Sequence, residues 1–366
     1  MIYLDNAATT KLSDAAKEVI INHLDTFGNP SSSYEFARES RLLIEDARVK
    51  IARCINAEPN EIYFTSGGSE SNTWAIRKRY SLASNIEHSS IRPDAYFKVD
   101  NMGLADIGFL HDWMRYNKDY WNLAYKRVVS CMMVNNELGT IQPIKEIAKI
   151  AHDSSAIFHT DAVQAVGHIP IDAKDIGCDL LSASAHKFNG PKGVGFLYIK
   201  NGTGLIPLIS GGSQERYSRG GTENILGIVS MAAALEDAVE HMEARNRYVK
   251  HLRDKMLSQL LKIPGSHLNG SLEQRVVSNI NIRFDGVPGQ KLVTLCDLSG
   301  VCISSGSACH EGEAKPSHVL KAIGLSNEDA LNSVRITIGH ENTEEEIDYA
   351  VNIITRWVER IRNINE

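Results

Sequence analysis

The sequence predicts an α/β fold in which a large body, built on an open and mostly parallel sheet, is followed by a smaller α+β body. Short apolar runs alternate with stretches whose apolar residues recur every three or four positions, which is typical of strands alternating with helices. A glycine-rich turn at 66–72 joins one of these strands to a helix. Beyond about Tyr248 the pattern becomes α+β-like. These three observations together favour two bodies of different architecture.

The first two thirds of the chain contain the elements of the large body. Ser13 can cap the first helix, and the glycine-rich turn follows the first strand of the sheet. The predicted helices lie at 14–24, 34–55, from Thr73 onward, and at 144–152. The predicted strands lie at 61–65, 127–134, 156–159, 179–183 and 194–199.

Polar residues follow several of these strands. In open parallel sheets a ligand binds beyond the carboxyl ends of the strands. We therefore expect a binding site formed by the residues at those ends. They are Asn135, Asn136, Asp161, Gln164, His186 and Lys187.

One long helix, at about 228–263, is predicted to connect the two bodies. Thr343 and Glu346 have the spacing of a capping box, which begins a terminal helix with a regular apolar face. The other predicted elements of the small body are strands at 277–284, 301–304 and 333–338 and a helix at 290–298. We accordingly expect a large domain at 13–250 and a small domain formed by 1–12 and 251–366.

The composition is that of a globular protein. The chain has 366 residues, of which 43% are hydrophobic and 23% charged, so two domains are expected. A net charge of -6 without a basic patch argues against a nucleic-acid partner. No apolar run is long enough to cross a bilayer and no basic leader precedes one, so we expect a cytoplasmic protein without a membrane partner.

The six cysteines form no C-x-x-C pair and no Cys/His set with zinc-site spacing, so no metal site is predicted. Five of them lie in apolar or mixed segments, where free thiols pack as small apolar residues. Cys309 differs, because it lies in a segment at 304–317 that is rich in Ser, Gly and charged residues. A thiol in an exposed loop of this kind can ionise and react.

Lys187 lies in the stretch 182–193, where a strand ends in a hydroxyl, an imidazole and an amine before a Gly/Pro turn. A lysine at a strand end that faces a cleft is partly desolvated, which lowers the pKa of its amine and makes it a nucleophile or a base. A surface lysine in a turn is the more common alternative. The functional interpretation therefore depends on residues elsewhere that suit a lysine-bound cofactor.

Such residues occur in six motifs, which follow one another along nearly the whole chain. They are Tyr3-Leu4-Asp5-Asn6-Ala7-Ala8-Thr9-Thr10, Phe27-Gly28-Asn29-Pro30, Val134-Asn135-Asn136-Glu137, His159-Thr160-Asp161-Ala162, Ser184-Ala185-His186-Lys187 and Ser304-Ser305-Gly306-Ser307-Ala308-Cys309. In this order they resemble the cysteine desulfurases, class V members of the fold-type I enzymes that depend on pyridoxal phosphate (PLP). The resemblance implies the PLP-dependent transferase fold.

The resemblance also implies roles for the residues that bind the cofactor. Lys187 would hold PLP covalently and later transfer a proton at the substrate carbon. Asp161 would pair with the pyridine nitrogen and keep it protonated, although a helix cap is the usual explanation for an aspartate after a strand. Gln164 would reach the ring oxygen, and His88 would stack on the ring and transfer protons. The phosphate would bind to Gly68, Ser69, Ser184 and His186. Thr222 would reach the same phosphate from the partner subunit.

The substrate implied by the resemblance is L-cysteine. Arg335 interrupts an apolar strand, and its planar fork suits the substrate carboxylate, although a structural salt bridge would also explain it. Asn136 would be a second ligand of the carboxylate or of the cofactor. After Lys187 removes the α-proton, the Cys309 thiolate would attack the substrate sulfur, leaving alanine and a persulfide on Cys309.

The resemblance further implies a homodimer with active sites at the interface, and an acceptor protein for the sulfur. The chain ends at Glu366, without the longer tail with which housekeeping members bind the iron–sulfur scaffold protein. Either that scaffold or a thiolation enzyme is therefore expected as acceptor. Two further departures are Tyr34 in place of the usual histidine and Gly68-Ser69 in place of Ala-Thr, and the segment between His88 and Asp100 is shorter than usual.

Other functions remain open at the level of sequence. The same residues could serve a selenocysteine lyase. A class V aminotransferase would need Lys187 and Asp161 but not Cys309. A degenerate scaffold that only binds sulfur acceptors is the non-enzyme alternative. The intact set argues against it: Lys187, Asp161, His88, Cys309 and Arg335.

Overall fold

A seven-stranded sheet lies at the centre of the larger body of this computed structural model, which describes residues 1–117, 127–305, 309–310 and 313–365. In spatial order its strands are Ile62–Thr65, Gly195–Ile199, Leu180–Ser184, Ile157–Asp161, Arg127–Ser130, Tyr80–Ser84 and Ala95–Phe97. Gly195–Ile199 runs antiparallel to both of its neighbours, and the other pairs are parallel. The prediction of a mostly parallel sheet is thus confirmed.

Helices cover this sheet and complete the larger core. They are Asp14–Asn22, Glu35–Cys54, Gly68–Ile76, Ile107–Tyr116, Ile144–Asp153, Ala173–Ile176 and Ile225–Glu240. Ser13 caps the first helix by accepting the backbone N–H of Ala16, as its sequence position indicates. The first two helices pack on Ile225–Glu240, and apolar residues from the sheet and the helices form one continuous core.

The smaller body contains a four-stranded antiparallel sheet and a second core. Its strands, in spatial order, are Ser304–Ser305, Ser333–Thr337, Asn279–Phe284 and Ser266–Leu268. Its helices are Met242–Leu260, Gly289–Leu298, His318–Ala322, Asn327–Leu331 and Glu344–Asn365. The N-terminal strand Ile2–Tyr3 joins this body by pairing with Val301–Cys302, and Cys309–His310 pairs with Glu313–Ala314.

The structure differs from the prediction where the two bodies are linked. Instead of one helix at 228–263 there are two, Ile225–Glu240 and Met242–Leu260, with His241 outside helical geometry between them. The backbone carbonyl of Asp237 accepts hydrogen bonds from the His241 ring and from Arg245, which also pairs with the Asp237 carboxylate at 2.9 and 3.1 Å. These side-chain contacts compete with the regular helical pattern and explain the break.

Other differences are local. The predicted strand at 301–304 is divided between two sheets, and the helix after the glycine-rich turn begins at Gly68 rather than Thr73. The strands Tyr80–Ser84 and Ala95–Phe97 and the helix Ile107–Tyr116 were not predicted. Thr343 and Glu346 form the predicted capping box, each backbone N–H donating to the other's side chain at 3.3 Å. Among the described helices, none is long and apolar enough to cross a membrane.

Candidate active site

A cavity of 280 Å³ lies where the parallel strands end, and both bodies contribute to its wall. Ten of the residues singled out in the sequence line it. They are Gly68, Ser69, His88, Asn136, Asp161, Gln164, Ser184, His186, Lys187 and Arg335. A second cavity of 150 Å³ lies deeper between the bodies and shares Ala7, Asn136 and Gln164 with the first. The fold thus gathers residues that are far apart in sequence, since Ala7, Gly68 and Arg335 all line one cavity.

Lys187 ends a short turn that directly follows the strand Leu180–Ser184. Its Nζ donates to the backbone carbonyl oxygens of Ala7 at 2.6 Å and Ala8 at 2.7 Å. Burial, reinforced by the positive charge of Arg335, lowers the pKa of the amine to about 8. About one tenth of this amine is therefore neutral at pH 7, far more than for an ordinary lysine, and the neutral form is what a nucleophile or a base requires.

Asp161 is the last residue of its strand and is only 4% exposed. One carboxylate oxygen accepts the backbone N–H of Val163 at 2.9 Å, and the other accepts the Asn72 side-chain amide at 2.6 Å. Burial raises the pKa of this carboxyl, while these two hydrogen bonds oppose the rise. Asp161 makes no ion pair within the described ranges, so a cation on the cavity side would stabilise it.

At the other end of the cavity, the helix Gly68–Ile76 presents its N-terminus. Gly67 has φ +144°, which favours glycine, and a Cβ atom at Gly68 would lie 2.6 Å from the Val163 side chain. Both glycines therefore allow a close approach to the backbone, whose free N–H groups suit an anion. Ser69, Ser184 and His186 surround the same space.

His186 and Gln164 are both tied to the N-terminal segment. His186 Nδ1 lies 3.2 Å from the Thr9 hydroxyl, and burial next to Lys187 lowers its pKa to about 4. The imidazole is thus neutral and can accept or donate one hydrogen bond. Gln164 Nε2 donates to the Ala7 carbonyl at 2.9 Å, the same oxygen that accepts from Lys187.

Arg335 forms the wall opposite these groups. Its guanidinium donates to the carboxylate of Asp5 at 2.7 Å and to the backbone carbonyl of Asn136 at 2.9 Å. The salt bridge that the sequence left open as an alternative is therefore present. Nε of this buried side chain has no partner among the described residues. Arg335 thus combines a structural contact with an unused donor in a residue that lines the cavity.

His88 and its surroundings include residues that sequence reasoning missed. The ring contacts Ser90 through Nδ1, and Ser90 in turn contacts Asn72, the residue that donates to Asp161. Asn72 is 1% exposed and lines the cavity. Asn72 lies on the helix that follows the glycine-rich turn, and that position was the only signal for it in the sequence.

The segment that carries Cys309 starts next to Arg335. Ser304 and Ser305 pair with Arg335 and Val334, so the chain leaves the sheet beside the cavity. Cys309 follows four residues later, within about 14 Å of extended chain. Its backbone lies in the strand Cys309–His310, and its side chain lies outside the described part of the structure. At the last residue of the segment, the Ser317 hydroxyl donates to the buried carboxylate of Glu137 at 2.6 Å.

Thr222 does not line either end of the cavity in this chain and is exposed. Its segment is nevertheless held close to the helix Gly68–Ile76, because Arg219 donates to both Glu70 carboxylate oxygens at 2.9 and 3.1 Å. The structure therefore brings together all the predicted site residues except Thr222, and the Cys309 side chain is not described.

The cavity suits PLP on chemical grounds. It contains an amine of lowered pKa, a buried carboxylate without a cation, and a helix N-terminus flanked by hydroxyl groups. These three groups match an aldehyde, a protonated ring nitrogen and a phosphate. In this chain the Val163 side chain lies 2.6 Å from where a Cβ atom at Gly68 would be, so glycine suits this position.

Comparisons with known proteins agree with this chemistry. The Aminotransferase class-V family matches residues 2–350. "Cysteine desulfurase IscS" of Methanosarcina thermophila is 41% identical over 385 aligned positions, which cover 100% of this chain and 93% of that protein. A solved NifS-like protein from Rickettsia africae is 32% identical with a TM-score of 0.90, and 99% of each chain is covered. "SspA in complex with cysteine" is 31% identical with a TM-score of 0.79, covering 94% of this chain and 100% of that one.

Proposed function

The chain belongs to the class V aminotransferase family. From this premise we propose that Lys187 and Cys309 are the main catalytic residues of a PLP-dependent cysteine desulfurase. The protein is a cysteine desulfurase that depends on PLP. The observation that carries the assignment of residues is the single cavity lined by Lys187, Asp161 and Arg335, beside which the segment leading to Cys309 begins. The proposal therefore concerns which residues act, and how.

Three groups would hold the cofactor. Lys187 would bind its aldehyde carbon, Asp161 would hold its ring nitrogen, and the helix N-terminus at Gly68 and Ser69 would hold its phosphate, together with Ser184 and His186. Gln164 and His88 line the space between these anchors. When bound, PLP supplies an electron sink for the electron pair left at the substrate α-carbon.

The residues of the chain supply the remaining steps. Arg335 and Asn136 would bind the carboxylate of L-cysteine, with the unused Nε of Arg335 available as a donor. Lys187, whose pKa of about 8 leaves part of the amine neutral, would take the α-proton. His88 would exchange protons at the substrate from its position in the cavity wall.

Cys309 would then receive the sulfur. Its thiolate attacks the substrate sulfur, the carbon–sulfur bond breaks, and the electron pair returns to the carbon, which is protonated to give alanine. The products are L-alanine and a persulfide on Cys309, and the balance needs no external oxidant or reductant. An acceptor protein, either an iron–sulfur scaffold or a thiolation enzyme, would take the outer sulfur.

A homodimer and a cytoplasmic location belong to the same proposal. Phe36 stacks on Tyr34 and contacts Phe27 in a tilted arrangement. Phe27, Tyr34 and Phe36 are 82%, 47% and 51% exposed, which is unusual for an isolated surface. Three non-glycine residues close to Thr222 in the sequence have positive φ, namely Glu215, Arg216 and Tyr217. A second copy that covers these aromatic rings would account for the exposed position of Thr222. The domain boundaries 13–250 and 251–366, with 1–12 in the small domain, remain part of the proposal; Val249 packs in the smaller core and Val276 in the larger one, so the two cores cross that boundary.

Alanine release from L-cysteine and from L-selenocysteine, measured side by side with the purified holoenzyme, tests this function. We expect turnover of cysteine, and loss of that turnover in Cys309→Ala. Turnover of selenocysteine alone would make the protein a selenocysteine lyase. Unchanged alanine release in Cys309→Ala would remove the thiol from the mechanism and favour a class V aminotransferase.

A further inference from the structure

The Nδ1 edge of the His88 ring is occupied by a single residue, Ser90. The Ser90 hydroxyl oxygen lies 2.7 Å from Nδ1, and the Ser90 backbone N–H donates to the same nitrogen at 3.2 Å. Two groups of one residue therefore converge on one ring nitrogen. The sequence motif around His88 gave no indication of this contact.

The backbone contact determines which ring nitrogen carries the proton. An N–H group can only donate, so Nδ1 must present its lone pair to it. In the neutral ring the proton then resides on Nε2, and the Ser90 hydroxyl has to donate to Nδ1 as well. A proton on Nδ1 would point at the backbone N–H of Ser90, which is unfavourable.

The hydroxyl of Ser90 is itself oriented by Asn72. The Asn72 amide donates one hydrogen to the Ser90 oxygen at 2.9 Å and the other to the Asp161 carboxylate at 2.6 Å. Because the Asn72 Nδ2 donates to the Ser90 oxygen, the hydroxyl hydrogen is free to point at His88. The Asn72 carbonyl oxygen is buried and has no partner in the described ranges, so the amide is held in this orientation by its donors alone.

We propose that Ser90 is a positioning residue that fixes His88 as the Nε2–H tautomer. The proposal rests on the proposed function, in which His88 exchanges protons at the substrate. Through Asn72 and Ser90, the carboxylate of Asp161 sets the direction of a chain of hydrogen bonds that ends at Nδ1. The only nitrogen of the ring that is left to exchange a proton is then Nε2.

The tautomer can be measured directly in the holoenzyme. Nitrogen-15 labelling of histidine, with the His88 signals identified by their absence in His88→Gln, shows by NMR which ring nitrogen is protonated. We expect a protonated Nε2 and an unprotonated Nδ1. A proton on Nδ1 in the wild-type protein overturns the proposal, and this measurement needs no variant of Ser90.

Kinetics provide the second test, with Ser89 as a matched control. Ser89 is the neighbouring serine and is exposed. Ser90→Ala should lower kcat about tenfold, since one hydrogen bond to the ring is lost, while the KM for cysteine changes less than about twofold. Ser90→Thr, which keeps the hydroxyl, should recover kcat to within about threefold of wild type. Ser89→Ala should match wild type.

These outcomes separate the inference from the proposed function. If Ser90→Ala keeps the kcat of Ser89→Ala, the Ser90 side chain does not position the ring and the proposal is wrong. If Ser90→Thr fails to recover kcat, the hydroxyl is not the acting group, which also overturns it. If His88→Gln retains full activity, the proposed role of His88 fails, whereas the NMR result still decides which tautomer Ser90 imposes.

Discussion

The two walls of the active-site cavity are held in place in different ways. On the wall from the seven-stranded sheet, Asp161 is fixed by two hydrogen bonds inside the core and Lys187 by two backbone carbonyls. On the wall from the four-stranded sheet, Arg335 is fixed by one ion pair with Asp5 and one backbone contact. The first wall is held by several hydrogen bonds and is proposed to bind the cofactor, whereas the second, proposed to bind the substrate, has a donor without a partner among the described residues.

Because of this difference, substitutions on the two walls should have different functional effects. Changes on the first wall should disturb cofactor binding and the chemical step, because Lys187 and Asp161 are the groups proposed to hold the cofactor and to take the α-proton. Changes on the second wall should disturb substrate affinity, because Arg335 lines the cavity and its Nε has no partner within the described ranges.

Lys187→Ala should give the largest loss on the first wall. It removes both the amine that holds PLP and the base that takes the α-proton, so alanine release should fall by about 10⁴-fold. The visible absorption of the bound cofactor should also be lost. Lys149→Ala, at an exposed helical position, is the control and should keep both. Retained absorption in Lys187→Ala would show that another group holds the cofactor.

Asp161→Asn tests the charge on the same wall without a change in shape. The neutral amide cannot stabilise a protonated ring nitrogen, so kcat should fall about 100-fold, equivalent to roughly 3 kcal/mol. The KM for cysteine should change little, because Asp161 does not belong to the substrate wall. A variant with normal kcat and a raised KM would show that Asp161 acts on substrate binding and not on the cofactor.

Arg335→Lys should act mainly on the substrate. A lysine keeps the charge but loses the planar fork, so the KM for cysteine should rise about tenfold with a smaller change in kcat. Asp5→Asn is the informative partner variant, since it removes the internal ion pair and leaves the guanidinium in place. If Arg335 is only structural, both variants should lose stability equally and neither should change KM.

The pH dependence of PLP uptake tests the lowered pKa of the Lys187 amine. Because its pKa is lowered to about 8, the neutral amine increases up to that pH. The rate at which cofactor-free protein takes up PLP should therefore rise about tenfold per pH unit below about 8 and level off above it. Stopped-flow absorbance measures this rate. A rise that continued toward the ordinary value of 10.5 would show that the amine is not desolvated.

The lowered pKa of Lys187 also predicts how the free energy of unfolding changes with pH. The folded pKa lies below the unfolded one, so the folded protein without cofactor holds the charged amine at a cost below about pH 8. As the pH rises from about 8 to 10.5, this cost disappears and stability relative to Lys187→Met should increase. Equal pH profiles of urea unfolding for the two proteins would contradict this.

Strand ends and glycine turns leave local signals, which predicted five of the seven strands of the sheet and the polar residues at the strand ends. The role of His88 came from the family resemblance instead. Asp161 and Lys187 follow apolar runs directly, so their position at one edge of the sheet follows from chain direction. The Arg335–Asp5 ion pair joins residues 330 positions apart, and no local pattern distinguishes it from a free arginine. Asn72 and Ser90 were missed because their importance comes from contacts with each other.

The break at His241 was missed for a related reason. The apolar periodicity continues through it, and only the convergence of His241 and Arg245 on Asp237 interrupts the helix. Side-chain contacts of this kind depend on conformation and are not visible in an apolar pattern.

The most direct test is to locate the sulfur after one turnover. The holoenzyme is mixed with one equivalent of L-cysteine, thiols and persulfides are alkylated, and peptides are analysed by mass spectrometry. We predict one additional sulfur atom on the peptide that contains Cys309, its loss in Cys309→Ala, and its retention in the control Cys302→Ala. Formation of alanine with an unmodified Cys309 peptide would contradict the account.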